Sequence, residues 1–378
     1  MVNAVGEHPL VDGLARHALR EWAEHGAPTP DPGPVVLAST LPPGDPVAAL
    51  AARAWLGGLR RTTTAHPGLF GGLAGQLAGL RLLAAVHPPL ERAAEAVSAA
   101  LHRSPPGTPD GLAYGDYDLV GGPAGVLLAH CVPAARPGGT DVIAARLAAL
   151  CEEGAGGLRC TAYDGHELLG WVQGRINAGL AHGVPGVVVA LAAALRAGSD
   201  VAEPLRGLAR WLPAQARRDP LGIVSWPTAG GAPPPARAVR RQAWCYGCPG
   251  AAWALWEAGD ALGEPGFTTP ATTAMRSLCD HYDEDFHLYG EAVTDRVAVC
   301  HGAAGVLAVA DAFATHADLP EAAGLRHRLA DHLGRRGEEV AELARTDMSL
   351  LTGAAGVLAA LRTAAGAPRG WLPAIGLR

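Results

Sequence analysis

Six short glycine motifs run through the sequence, and they leave few folds open to it. They read GGLAG at residues 71–75, GGPAG at 121–125, HGVPG at 182–186, YGCPG at 246–250, HGAAG at 301–305 and TGAAG at 352–356. The first glycine of each Gly-x-[Ala/Pro]-Gly core falls at 72, 122, 183, 247, 302 and 353, at intervals of 50, 61, 64, 55 and 51 residues. An apolar stretch follows each motif, GVVVALAAALRAG and GVLAVADAFATHA among them, and reads as a buried helix that begins at the glycines. Charged segments such as PPLERAAEAVSAALHRS lie between and read as helices with one wet face. A unit of outer helix, glycine turn and inner apolar helix cannot bury its inner helix alone. Six such units closing on themselves make an all-α fold, an (α/α)6 toroid of six helix-hairpin repeats. An open solenoid is the alternative, but these inner helices are too apolar to line an exposed concave face.

The repeat also sets the domain count. Length alone suggests two or three domains, whereas the period joins residues 41–378 into one toroid, preceded over 1–40 by a helix and a proline-rich linker. Two spacers exceed the others, and their extra length holds Gly157–Gly165 and Leu221–Pro235. Rich in Gly and Pro, they read as loops or short strands over one end of the barrel.

Composition narrows the partners. The 378 residues carry 30 cations, all of them arginine, against 36 acids, for a formal net charge of −6. That balance argues against nucleic acid or an anionic membrane as the main partner. No apolar run approaches the roughly 20 residues of a membrane span, and the start lacks the pattern of a signal peptide, so the cytoplasm is the expected location. Seven cysteines, an odd number over a long chain, suit reduced thiols or metal ligands better than a disulfide framework.

The chemistry is expected where the repeats superpose. Immediately before the first core glycine stand Gly71, Gly121, His182, Tyr246, His301 and Thr352, and one place earlier Phe70, Val120, Ala181, Cys245, Cys300 and Leu351. Equivalent positions in a cyclic repeat share one end of the toroid, so the polar members converge. Six inner-helix N-termini meet there too, with an expected set of unpaired N–H groups that would favour anions. Cys245, Cys300 and His301 supply two thiolates and an imidazole, a zinc ligand set with a place left for substrate. Two thiolates and a neutral histidine balance Zn²⁺, so an added substrate thiolate stays nucleophilic, and thiol activation fits better than water activation. Cys248 makes a Cys-x2-Cys with Cys245 and would close the site if it bound, although its place inside the turn points it into the helix. His182 is placed to handle protons. Asp118 and Arg241 fall near the same rim, as site residues or as ordinary salt-bridge partners.

With these residues in place, the sequence resembles the lanthionine synthetase C-like family, the cyclases that close thioether rings in lantibiotic precursors. The resemblance rests on Tyr117–Gly125 (YDLVGGPAG), Asn177–Gly186 (NAGLAHGVPG), Trp244–Gly247 (WCYG) and Cys300–Gly305 (CHGAAG). It implies zinc on Cys245, Cys300 and His301, with Asp118, His182, Arg241 and Tyr246 as polar active-site positions. It implies addition of a peptide cysteine thiolate to dehydroalanine or dehydrobutyrine, and protonation of the resulting enolate. It implies a dehydrated precursor peptide as substrate and a separate dehydratase as partner, since the chain has the length of a cyclase alone. A zinc enzyme alkylating thiols with another electrophile, and a non-catalytic zinc-containing peptide scaffold, are the competing readings.

Overall fold

The computed structural model describes residues 9–62, 64–103, 111–133, 140–231 and 237–378. In chain order its helices are α1 (Pro9–His25), α2 (Gly33–Ser39), α3 (Pro46–Leu59), α4 (Leu73–Ala84), α5 (Glu91–His102), α6 (Pro123–His130), α7 (Asp141–Ala149), α8 (Val184–Arg196) and α9 (Ala202–Gln215). They continue as α10 (Cys248–Leu262), α11 (Pro265–His281), α12 (Glu284–His287), α13 (Val293–Val297), α14 (Ala303–His316), α15 (Pro320–Gly334), α16 (Gly337–Thr346) and α17 (Ala354–Ala364).

Every motif caps an inner helix. Gly72, Gly122, Gly183, Gly247, Gly302 and Gly353 are the N-cap residues of α4, α6, α8, α10, α14 and α17. These helices are apolar nearly all round and almost wholly buried, which is what a helix needs when neighbours surround it. Each packs on the next around the ring, and α5, α7, α9, α11, α15 and α16 form the outer layer with their apolar stripes turned inward.

The second motif glycine explains how closely the ring is drawn. A Cβ on Gly125, Gly305 or Gly356 would lie about 2 Å from the carbonyl oxygen six residues earlier, those of Leu119, Val299 and Leu350. The same Cβ would also press on the preceding repeat, on Leu69, Trp244 and Val299 respectively. Each turn therefore folds back on its own helix and docks on its neighbour at a single point where no side chain fits.

One element of the ring carries no motif. Residues 33–39, part of the proline-rich segment read as linker, form α2, which packs between α17 and α4 and closes the circle. The Pro-Gly-Pro sequence sets a helix start with proline in the first turn. Its outer partners are α1 and α3, so the first 40 residues are built into the toroid as far as they are described. Asp31 makes the joint: Oδ1 accepts N–H groups from Gly33 and from Leu350 across the seam, both at 2.8 Å. Beside it, Arg362 of α17 donates to Thr40 and pairs with Asp12.

The opposite end is filled by the chain's last residues. Trp371, Leu372, Ile375 and Leu377 are buried, and the indoles of Trp244 and Trp253 donate to the carbonyls of Ile375 and Gly376. The toroid thus has a plugged end and a motif-bearing end. Over the latter lie the two long spacers: β1 (Arg217–Arg218) and β2 (Val224–Ser225) pair antiparallel, and Asn177 bridges to Ala229. Residues 232–235 of the second spacer lie outside the described residues.

Candidate metal centre and active site

The residues two and three places before each core glycine form a backbone strap around the motif-bearing end. The amide of Leu69 donates to Val120, Leu119 to Ala181, Leu180 to Cys245, Cys245 to Cys300 and Cys300 to Leu351. Cys245 and Cys300 are thus joined through their own main chains, which sets their thiols side by side before any ligand is considered.

The donor atoms of Cys245, Cys300 and His301 all lie within 4.8 Å of one another, and Cys300 Sγ is 3.9 Å from His301 Nε2. A tetrahedral zinc with bonds of about 2.0–2.3 Å holds its ligands somewhat less than 4 Å apart, so a small contraction suffices. Both cysteines are buried and His301 is half-buried. The charge pattern suits a cation. A hydrogen bond from Cys245 draws the Cys300 thiol down to about 5, that shared proton and burial push Cys245 up, and the Cys300 thiolate raises His301. Two sulfur donors, one of them already drawn toward its thiolate, and an imidazole make a donor set that fits zinc. Cys248 stands apart, buried beneath the start of α10 with its thiol donating to Ala274 of α11.

Beside this group sits a histidine–carboxylate pair. His182 Nδ1 lies 2.5 Å from Asp118 Oδ2, and the other oxygen of Asp118 accepts the amides of Gly121 at 2.7 Å and Gly122 at 2.9 Å. The turn of the second repeat therefore clamps the carboxylate, which holds the imidazole presented by the third. Tyr114 stacks on His182, ring centroids 5.0 Å apart, and the Tyr117 hydroxyl donates to the His182 carbonyl. With Nδ1 engaged, Nε2 is the nitrogen available to a substrate.

Arg241 donates to the carbonyls of His301 and Tyr289 and lies over the Tyr289 ring, 4.3 Å from its centroid. It braces the main chain of a candidate ligand and faces the same mouth. Tyr246 accepts a hydrogen bond from Asn177 Nδ2 at 3.4 Å, and burial pushes its phenol upward, so its own O–H is kept and free to donate. From His301, Tyr246 and Arg241 a cleft of about 690 Å³ runs to the two long spacers.

All seven residues singled out in the sequence thus come to one end of the toroid. The expected unpaired helix N–H groups do not. The amides of Leu73, Ala124, Val184 and Ala354 each donate to a carbonyl seven residues earlier, those of His66, Tyr117, Asn177 and Asp347. At these four helices the chain entering the turn caps the helix, and at α10 the Gln242 side chain accepts the Cys248 amide, so the expected ring of six open ends is not formed. Tyr114, Asn177, Tyr289 and His66 were not foreseen. Asn177, which donates to both Tyr114 and Tyr246, stands in a quoted motif and carried the one available signal. His66 would lie 3.7 Å from a Cβ on Gly121, through Nε2, at the rim beside Asp118.

Comparison with known proteins gives three findings. The model of a family described as "Lanthionine synthetase C-like protein" matches residues 51–366. A solved structure titled "Nisin cyclase" superposes with a TM-score of 0.77 over 97% of each chain, at 18% sequence identity, a likeness of fold. No curated protein sequence matches.

Proposed function

The chain belongs to the lanthionine synthetase C-like family, and on that premise we propose that it is a zinc-dependent cyclase. It closes lanthionine or methyllanthionine rings in a dehydrated precursor peptide. The observation that carries this reading is the gathering of the Cys245, Cys300 and His301 donors beside the Asp118–His182 pair at the open end of the toroid. Zinc held by those three residues would lower the pKa of a substrate thiol and keep it as thiolate near neutral pH.

The substrate thiolate forms a C–S bond to the β-carbon of dehydroalanine or dehydrobutyrine. The π electrons move onto the carbonyl oxygen as an enolate, and a proton then returns to the α-carbon, so that mass is unchanged. His182 handles that proton at Nε2, with Asp118 fixing its tautomer and direction through Nδ1. Tyr246 directs its O–H toward the carbonyl that gains charge, and Arg241 places its cation at the same mouth. Burial of Cys245, Cys300 and Asp118 limits water around the reacting atoms. The reading carries with it a cytoplasmic location and a separate dehydratase that supplies the substrate. Among the described residues no helix is long and apolar enough to cross a membrane.

The test uses a peptide with one cysteine and one dehydroalanine. The zinc-loaded protein should consume the free thiol with no mass change, and Cys300→Ala should lose both metal and reaction. Bound zinc with thiol consumption at the uncatalysed rate would overturn the cyclase and leave a peptide-binding scaffold.

A further inference from the structure

The two long spacers leave cations at the far end of the cleft that pair with no acid among the described residues. Arg175 is exposed and makes no side-chain hydrogen bond or ion pair among the described residues. Arg217 spends Nη1 on the carbonyls of Ala214 and Ala216, and its Nε and Nη2 have no partner among the described residues. Several arginines elsewhere find acids: Arg206 pairs with Glu203 and Glu264, Arg276 with Glu321, and Arg328 with Glu284.

The carboxylate nearest to hand cannot answer them. Asp219 also lines the cleft, but it is buried, with Oδ1 accepting the amides of Leu221 and Ile223 and Oδ2 that of Val239. The cleft's other acid, Asp295, stands at the opposite end, close enough to His301 to act on its charge. Neither acid of the cleft pairs with Arg175 or Arg217 among the described residues. Beside these arginines Trp171 leaves an indole partly exposed, a flat surface on which peptide can lie.

We infer that the far end of the cleft, Arg175 and Arg217 with Trp171, is a subsite for an Asp or Glu side chain of the precursor peptide, carried near the residues being joined. A planar guanidinium grips a carboxylate through paired N–H bonds, and arginines held apart from other acids pay little to exchange water for one. The subsite selects which peptide segment reaches the metal end. This rests on the chain being a peptide cyclase.

The experiment uses the full-length zinc-loaded protein and two fluorescein-labelled peptides. Each has one cysteine and one dehydroalanine, and they differ only in a flanking Glu-Glu or Lys-Lys pair. Anisotropy should show the acidic peptide binding about tenfold more tightly or better, as expected for charge-assisted bonds, with the advantage shrinking as salt is raised. Arg175→Glu, whose side chain supports no other part of the fold, should erase most of that preference, and Arg175→Glu/Arg217→Glu should reverse it, zinc content being checked in each. An acidic preference that persists unchanged in both variants overturns the subsite, as does equal binding of the two peptides by the wild type. If the preference follows the arginines while neither peptide loses its thiol, the subsite stands and the cyclase reading falls.

Discussion

Asp118 does two things at once, and the two can be separated. One oxygen holds the turn amides of Gly121 and Gly122, while the other orients His182. Asp118→Asn keeps an acceptor for the turn but replaces the partner of His182 Nδ1 with an amide that favours the wrong tautomer if its NH2 faces the ring. Initial rates of thiol loss should fall by about 10²-fold or more, with zinc content and melting temperature close to wild type; a rate within twofold would deny His182 its proposed role. The legibility of these residues follows their relation to the repeat. Cys245, Cys300, His301, His182 and Tyr246 occupy fixed places before a core glycine, so aligning the motifs sufficed to bring them together. Asp118 and Arg241 were near a landmark but not on the register, and their place at the site came with the family resemblance. Tyr114, Tyr289 and His66 lie on irregular chain whose course no period dictates. Their contacts depend on how one loop lies over another.

At the scale of the element, the glycine turns are the points of least tolerance. Gly305→Ala would set a methyl 1.9 Å from the Val299 carbonyl and 2.7 Å from Trp244 Cβ, both parts of the rigid strap beside the metal ligands. Neither can move aside alone, so the variant should lose several kcal/mol of stability and with it zinc binding. Gly13→Ala, within α1 and with open space around the new methyl, should instead gain up to about 1 kcal/mol. Urea titration of both variants tests the contrast, and equal effects would refute the packing account. The same turns show where sequence reasoning fell short. Motif-bearing helices were legible because glycine and apolar periodicity agree. The helix α2 was hidden because Pro32-Gly33-Pro34 looks like a breaker when its helix is only seven residues long and derives its support from α17 and α4. The helix termini were expected to be open because the returning chain seven residues upstream leaves no mark in composition.

The whole molecule depends on its seam, where the repeat is interrupted and a carboxyl group stands in for a motif. Burial pushes Asp31 up from 3.8 to about 6 against the pull of its two amide hydrogen bonds. Because the folded value lies above the unfolded one, the associated stability is complete below about pH 4 and is lost as pH rises through about 6. Above that, the ionised group costs the fold on the order of 3 kcal/mol at most. Asp31→Asn keeps the acceptor and cannot ionise. In chelator, to remove any metal contribution, the variant should exceed wild type at pH 8 by up to that amount, and the two should converge at pH 4. Wild type more stable at pH 8 would show that the charged form is worth more to the seam than its burial costs.

The seam also bears on how such a chain is made. Asp31 meets Leu350 across 319 positions, and Asp12 meets Arg362 across 350. A ribosome therefore releases nearly every inner helix before the circle can shut, and each waits with apolar sides bare. Nascent chains of this kind should call on chaperones throughout synthesis, and the last helix to emerge decides whether the product is a ring or an aggregate.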